Sequence, residues 1–188
     1  MGFRPISIFP FDCCLGGSPG SRPSYGRIDP FMVLALLTSA LLSIVCFIAT
    51  LLMGFMVFRT TLAQHVLFGL FTTFLVTLTQ SMTMFYFIGT GKQVKDLVAS
   101  LPTGPDLVQR TKGFKAKVFP PALWAMLFTM ATMIIGGGVH THVAWTPPLL
   151  HALLAVASLY YNIVAFWKEA KYMIENNLLL AEVDRLLQ

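Results

Sequence analysis

The residues of this chain best suited to chemistry are its four histidines, His65, His140, His142 and His151. His65 and His151 each follow the start of a long apolar segment by about one helical turn, and His140 and His142 lie in the irregular segment GGGVHTHVAWTPP. Histidines on two helices at one membrane depth suit the axial ligation of a b-type haem. We expect ordinary interfacial histidines, and the alternative is that His65 and His151 are haem ligands. In the same way, the alternative for His140 and His142, two residues apart, is that they share a zinc or copper ion.

Four apolar segments must position these histidines. They cover residues 31–58, 62–90, 118–138 and 148–167. Since a helix of about 20 apolar residues is long enough to cross a bilayer, each segment is a predicted transmembrane span. The chain is 56% hydrophobic and 11% charged, which is typical of membrane proteins rather than of soluble domains. We predict an all-α, polytopic membrane protein with four transmembrane helices in an up-down bundle. The second and fourth helices then run in one direction, which places His65 and His151 at similar depth.

The other segments are predicted to lie outside the bilayer. Residues 1–30 are rich in Pro, Gly and Ser and are predicted to be a disordered tail. Residues 92–117 form a predicted inner loop, in which the amphipathic stretch 93–101 lies on the membrane surface. Residues 168–188 are predicted to be a C-terminal amphipathic helix on the cytoplasmic side, whose apolar stripe contains Tyr172, Leu179, Val183 and Leu186.

Polar side chains inside the spans predict how the helices pack. Thr73, Thr77 and Gln80 are spaced i, i+4 and i+7 in the second span and are expected to face protein, since lipid offers no hydrogen-bonding partner. Asn162 of the fourth span is expected to form a hydrogen bond with Gln80.

A quinone pocket is the alternative interpretation of this polar region. Gln80 and Asn162 would then be joined by three tyrosines, which are Tyr86, Tyr160 and Tyr161.

The distribution of charge predicts the orientation. Of the 13 lysines and arginines, only Arg59 falls on the side opposite to the termini in this topology. Basic residues concentrate on the cytoplasmic side of membrane proteins, so both termini are predicted to be cytoplasmic, most simply in a bacterial inner membrane. The basic residues flank apolar segments, which argues against nucleic acid as a partner. The spans contain no Asp, Glu, Lys or Arg, which argues against a proton-coupled transporter or a charge-lined pore.

Three functions are compatible with these features. We expect a non-catalytic accessory, anchoring or scaffolding subunit, which contacts lipid and binds partner proteins in the bilayer and through its C-terminal helix. The alternative is a redox membrane subunit that binds one b-type haem and exchanges electrons with quinone, and a small channel or carrier is a weaker alternative. The sequence contains no nucleophile–base pair and no phosphate loop, so nothing in it favours an enzyme.

Overall fold

The described part of the chain consists of four helices. The computed structural model describes residues 30–56, 62–99 and 101–187. The helices are α1 (Pro30–Phe55), α2 (Leu62–Leu97), α3 (Gly104–His140) and α4 (Pro148–Leu186). Each is long and apolar enough to cross a membrane, so the all-α prediction is confirmed for these residues. The predicted disordered tail lies, except for Pro30, outside the described residues.

Helices α2, α3 and α4 are longer than the predicted spans. They contain 36, 37 and 39 residues, so at 1.5 Å per residue each is about 55 Å long, against about 30 Å for the hydrocarbon core of a bilayer. The predicted inner loop at 92–117 is therefore mostly helical, because α2 continues to Leu97 and α3 begins at Gly104; its position on the inner side stays a prediction. The predicted C-terminal helix at 168–188 is the continuation of α4.

Pro120 and Pro121 explain part of this difference. A proline pair usually marks the start of a helix, where missing N–H groups break no hydrogen bond. Here both prolines lie inside α3, and Pro105 occupies the start of that helix instead.

Two apolar residues of the stretch 93–101, which was predicted to lie on the membrane surface, face the protein interior. Val94 and Val98 are 0% and 1% exposed. They lie at the end of the bundle that contains the turn at residues 98–103, which we call the α2–α3 end. Gly104 follows this turn, and a Cβ atom there would overlap the backbone carbonyl oxygen of Val98. The close approach of the two backbone segments requires glycine at this position.

The hydrophobic core is concentrated at the α2–α3 end. Its large members come from all four helices: Val33, Leu36, Tyr86, Phe87, Val94, Val98, Leu107, Phe114, Val118, Met173, Leu179, Leu180 and Val183. Leu179 and Val183 belong to the apolar stripe that was predicted for residues 168–188, and both are buried. Leu186 of the same stripe is 49% exposed. The rest of the bundle interior contains mainly small and hydroxyl-bearing residues, which let helices approach closely. Examples are Ser43, Thr72, Ala122, Ala125, Thr129, Ala155 and Ser158.

The four helices pack in a ring. Helix α1 packs on α2, α2 on α3, α3 on α4, and α4 on α1, while α2 and α4 also touch across the centre. Helices α2 and α4 are therefore diagonal partners, and side chains that point inward from them can meet in the middle of the bundle.

Candidate functional site

His65 of α2 and His151 of α4 meet inside the bundle. Their ring centroids are 6.3 Å apart, and the ring planes are close to perpendicular, at 82°. Both side chains are half-buried. The structure thus brings together the two predicted haem ligands, on the diagonal helices. Ligation itself stays a prediction.

A backbone carbonyl group of a neighbouring helix orients the imidazole of His151. Nδ1 of His151 lies 3.1 Å from the carbonyl oxygen of Thr132 on α3. Because a carbonyl oxygen only accepts, this Nδ1 carries the proton and Nε2 presents its lone pair, as in histidines that bind metals. The backbone of Thr50 on α1 lies near the His65 ring, but Nδ1 of His65 is buried and forms no hydrogen bond.

Two glycines make room for the two rings. A Cβ atom at Gly54 of α1 would lie 3.1 Å from Cε1 of His65, and one at Gly136 of α3 would lie 2.7 Å from Cε1 of His151. Each glycine follows by four residues the threonine whose backbone lies near the ring, in the segments TLLMG and TMIIG. The α1–α2 pair and the α3–α4 pair therefore present one arrangement twice, a Thr-x-x-x-Gly helix beside a histidine helix. Sequence analysis missed this repeat, although both segments are readable in the sequence.

His140 and His142 lie at the carboxyl end of α3, just beyond Gly136. His140 is the last residue of α3, and His142 follows in the turn with φ of 57°; both are exposed. Within residues 30–56, 62–99 and 101–187, no three His, Cys, Asp or Glu side chains group as a metal site would need. A metal ion at His140 and His142 stays a prediction.

Asn162 joins α4 to α3 rather than to α2. Its amide donates to the hydroxyl of Thr129 at 3.1 Å and to the carbonyl oxygen of Ser158 at 2.9 Å. The hydroxyl groups of Thr129 and Ser158 lie 2.8 Å apart. The predicted hydrogen bond between Asn162 and Gln80 is therefore wrong, although both side chains are buried as expected.

Of the predicted polar seam of α2, only Gln80 is buried, and the buried threonines of this helix include Thr72 and Thr79 instead. Thr73 and Thr77 are only half-buried, and their hydroxyls donate to the α2 carbonyl oxygens of Gly69 and Thr73. The threonine that reaches another helix is Thr72, whose hydroxyl lies 2.9 Å from that of Thr50 on α1.

Of the three tyrosines of the alternative quinone pocket, Tyr160 and Tyr161 contact each other at 5.4 Å, and Tyr86 has other partners. Tyr161 stacks on Phe128 at 4.7 Å, and Tyr160 is 62% exposed. The hydroxyl of Tyr86 donates to Asn177 and accepts from Asn176.

One buried acid was not expected. Glu169 of α4 is 0% exposed, and neither of its carboxyl oxygens forms a hydrogen bond. Gln80 of α2 is the polar side chain that interacts with it. Glu169 lies two residues beyond the predicted end of the fourth span, and for that reason it was excluded from the predicted interior.

The fold and these contacts define the class of protein as an all-helical bundle whose four helices are each able to cross a membrane. Comparison with protein-family models, curated proteins and solved structures found no match for this chain. The geometry of the histidine pair is therefore the basis for a functional proposal.

Proposed function

We propose that this protein is a redox subunit of a membrane, in which His65 and His151 bind one b-type haem from opposite sides and the haem exchanges electrons with membrane quinone. The observation that carries the proposal is the 6.3 Å separation of the two ring centroids. Two imidazoles that bind one metal ion from opposite sides have ring centroids about 6 Å apart, because each metal–nitrogen bond is about 2 Å long. Facing histidines on diagonal helices thus have the spacing that axial ligation requires.

The surroundings of the two rings support the same function. The Thr132 carbonyl fixes Nδ1 of His151 and leaves Nε2 available to iron. Gly54 and Gly136 place bare backbone beside the site on the two remaining helices, α1 and α3. These glycines leave room for the two imidazoles, which would hold the iron.

The test is an absorption spectrum of the full-length protein purified in mild detergent, oxidised and then reduced with dithionite, with haem quantified on the same sample. The expected result is a Soret band, a sharp α band on reduction, and about one haem per chain. Incubation with haemin serves as the control for haem lost during purification. A featureless spectrum after that incubation would contradict the proposal.

The second candidate is a non-catalytic accessory or anchoring subunit. It is favoured by the α2–α3 end, where three helices extend beyond the thickness of a bilayer and share an apolar core. Ile174, Leu178 and Leu186 are exposed there on α4 and would be available to a partner protein. This function predicts a featureless spectrum and co-purification of a partner that depends on α4.

For both candidates we propose an up-down bundle in a bacterial inner membrane with both termini in the cytoplasm. Two contacts for each pair of consecutive helices support an antiparallel arrangement, since residue numbers rise on one helix as they fall on the next. These contacts are Thr50 with Thr72 and Gly54 with His65, Ser81 with Met126 and Gly91 with Lys115, and Arg110 with Glu182 and Thr129 with Ser158. The lysines and arginines, of which only Arg59 falls on the opposite side, support the orientation.

Reporter fusions test this topology. Green fluorescent protein fused after Gln188 is expected to fluoresce, and alkaline phosphatase at that position is expected to be inactive. Alkaline phosphatase inserted in the turn at 141–147 is expected to be active, because that turn would lie in the periplasm. The reverse pattern at the two positions would disprove the orientation.

A further inference from the structure

Glu169 differs from the other described glutamates in having no cationic partner. Glu182 pairs with Arg110 at 2.8 Å, and Glu175 lies 4.0 Å from Lys171, in both cases at the protein surface. Glu169 is completely buried and forms neither an ion pair nor a hydrogen bond. Removing an ionised carboxylate from water without compensation costs several kcal/mol, roughly, so a group in this position needs a positive charge or a proton.

The atoms next to Glu169 indicate whether a positive charge or a proton compensates the carboxylate. The carbonyl oxygen Oε1 of Gln80 is also buried without a hydrogen bond, and it can only accept. The two oxygens of an ionised Glu169 can only accept as well. The amide group of Gln80 carries two N–H donors, but neither carboxyl oxygen of Glu169 accepts a hydrogen bond. A proton on the carboxyl group would remove the uncompensated charge, and its O–H would also give Oε1 of Gln80 a donor.

We propose that the carboxyl group of Glu169 is a proton-binding site inside the bundle, which exchanges its proton with water at the α2–α3 end. Loading transfers a proton from hydronium to a carboxylate oxygen, which forms the O–H bond and leaves water; release reverses the step. In the loaded state the carboxylic acid is uncharged and donates to Gln80. This site does not depend on the proposed haem.

The direction of exchange follows from polar groups that lie further along the same helices. On α2, Thr83 and Tyr86 follow Gln80 at intervals of three residues, and the hydroxyl of Thr83 is buried without a hydrogen bond. On α4, Asn176 follows Glu169 by two turns and donates to the Tyr86 hydroxyl at 3.1 Å. Polar groups thus continue from Glu169 towards the α2–α3 end.

Among the described residues, no charged group forms an ion pair with Glu169. The buried residues of α1 are uncharged, namely Val33, Leu36, Ala40, Ser43 and Phe47, and none of the buried residues of α3 is charged. Tyr86 is the one titratable group among the buried residues of α2. Near the same end, Lys115 of α3 lies over Gly91, and Lys117 and Lys171 lie over the ring of Tyr172. A proton is therefore the available positive charge.

Infrared spectroscopy of the full-length protein in lipid tests the proposal. At pH 7 we expect the carbonyl stretch of one protonated carboxylic acid per chain, which shifts in D₂O and disappears reversibly as the pH is raised. Glu169→Gln is expected to lose the band. Glu175→Gln, which changes an exposed acid on the same helix, is expected to keep it.

Labelling with ¹³C-glutamate keeps the test valid if Glu169→Gln fails to fold. The label shifts only glutamate bands, and Glu175 and Glu182 are exposed and next to basic residues, so a labelled carboxylic-acid band at pH 7 in the unmutated protein belongs to Glu169. Absence of that band, or its persistence in Glu169→Gln, would overturn the proposal. Loss of the band on addition of Na⁺ at constant pH would overturn it in favour of a metal-cation site.

Discussion

Replacement of His65 or His151 by alanine is expected to abolish the Soret band of the purified protein. Each histidine would supply one axial ligand, and no other histidine among the described residues is buried near the pair, since His140 and His142 are exposed. Loss of either imidazole leaves the iron with one protein ligand and removes the bis-histidine spectrum. We expect at least a tenfold fall in haem retained per chain, in line with the loss of affinity caused by changes around metal ligands.

The exposed histidines provide the matched controls. His140→Ala and His142→Ala remove the same side chain from the same chain and are expected to leave the spectrum unchanged. The oligomeric state and thermal stability of all four variants would be compared by size exclusion and thermal unfolding in detergent. An unchanged Soret band in His65→Ala, or its loss in His142→Ala, would show that the pair is not the ligand set.

The pairing of His65 with His151 was accessible to sequence analysis because it depends on few assumptions. Two helices that run in the same direction and carry a histidine one turn from the same membrane face place those residues at one depth. The flanking glycines were not accessible in this way. The role of Gly54 and Gly136 can be recognised only when the residues that face them on the adjacent helix are known. A hydropathy pattern does not show which helices are adjacent.

Glu169 was predicted to lie outside the bundle interior because the fourth span was ended before Lys168, the first charged residue after it. The buried positions of α4 continue past that point with spacings of three and four residues: Ala155, Ser158, Asn162, Ala165, Glu169, Met173, Asn176, Leu180 and Val183. A stripe of this spacing is the packing face of a helix. Extending it through Lys168 would have placed Glu169 inside the bundle, since a helix in a bundle does not change its inward face at the membrane boundary.

The inward-facing side of α2 could not be identified from the sequence, for a different reason. A threonine in a helix can donate to the carbonyl group four residues earlier, so its hydroxyl needs no partner on another helix. Thr73 and Thr77 do this and are half-buried. Polar side chains of this type therefore do not identify the inward face by themselves, and of the predicted seam only Gln80 is buried.

Gly136→Leu is expected to abolish haem binding, whereas Gly137→Leu is expected to leave it intact. A Cβ atom at position 136 would lie 2.7 Å from Cε1 of His151, but one at position 137 would have no atom within 4 Å. A leucine at 136 must therefore displace the imidazole, and such overpacking costs about 1–3 kcal/mol of stability. At 137 the leucine would point outward from α3, and replacing glycine within a helix should raise stability by about 0.5–1 kcal/mol.

Gly138→Ala is the control that distinguishes a specific loss of the haem site from a general destabilisation of α3. A Cβ atom there would lie 2.6 Å from Cγ2 of Thr146, so the variant should lower the unfolding temperature without touching His151. The ratio of Soret absorbance to protein and the unfolding temperature would be measured for all three variants. If the haem site depends on the room that Gly136 leaves for His151, only Gly136→Leu loses haem. Equal haem loss in Gly136→Leu and Gly138→Ala would instead mean that any disturbance at the end of α3 empties the site, and the specific role of Gly136 would be excluded.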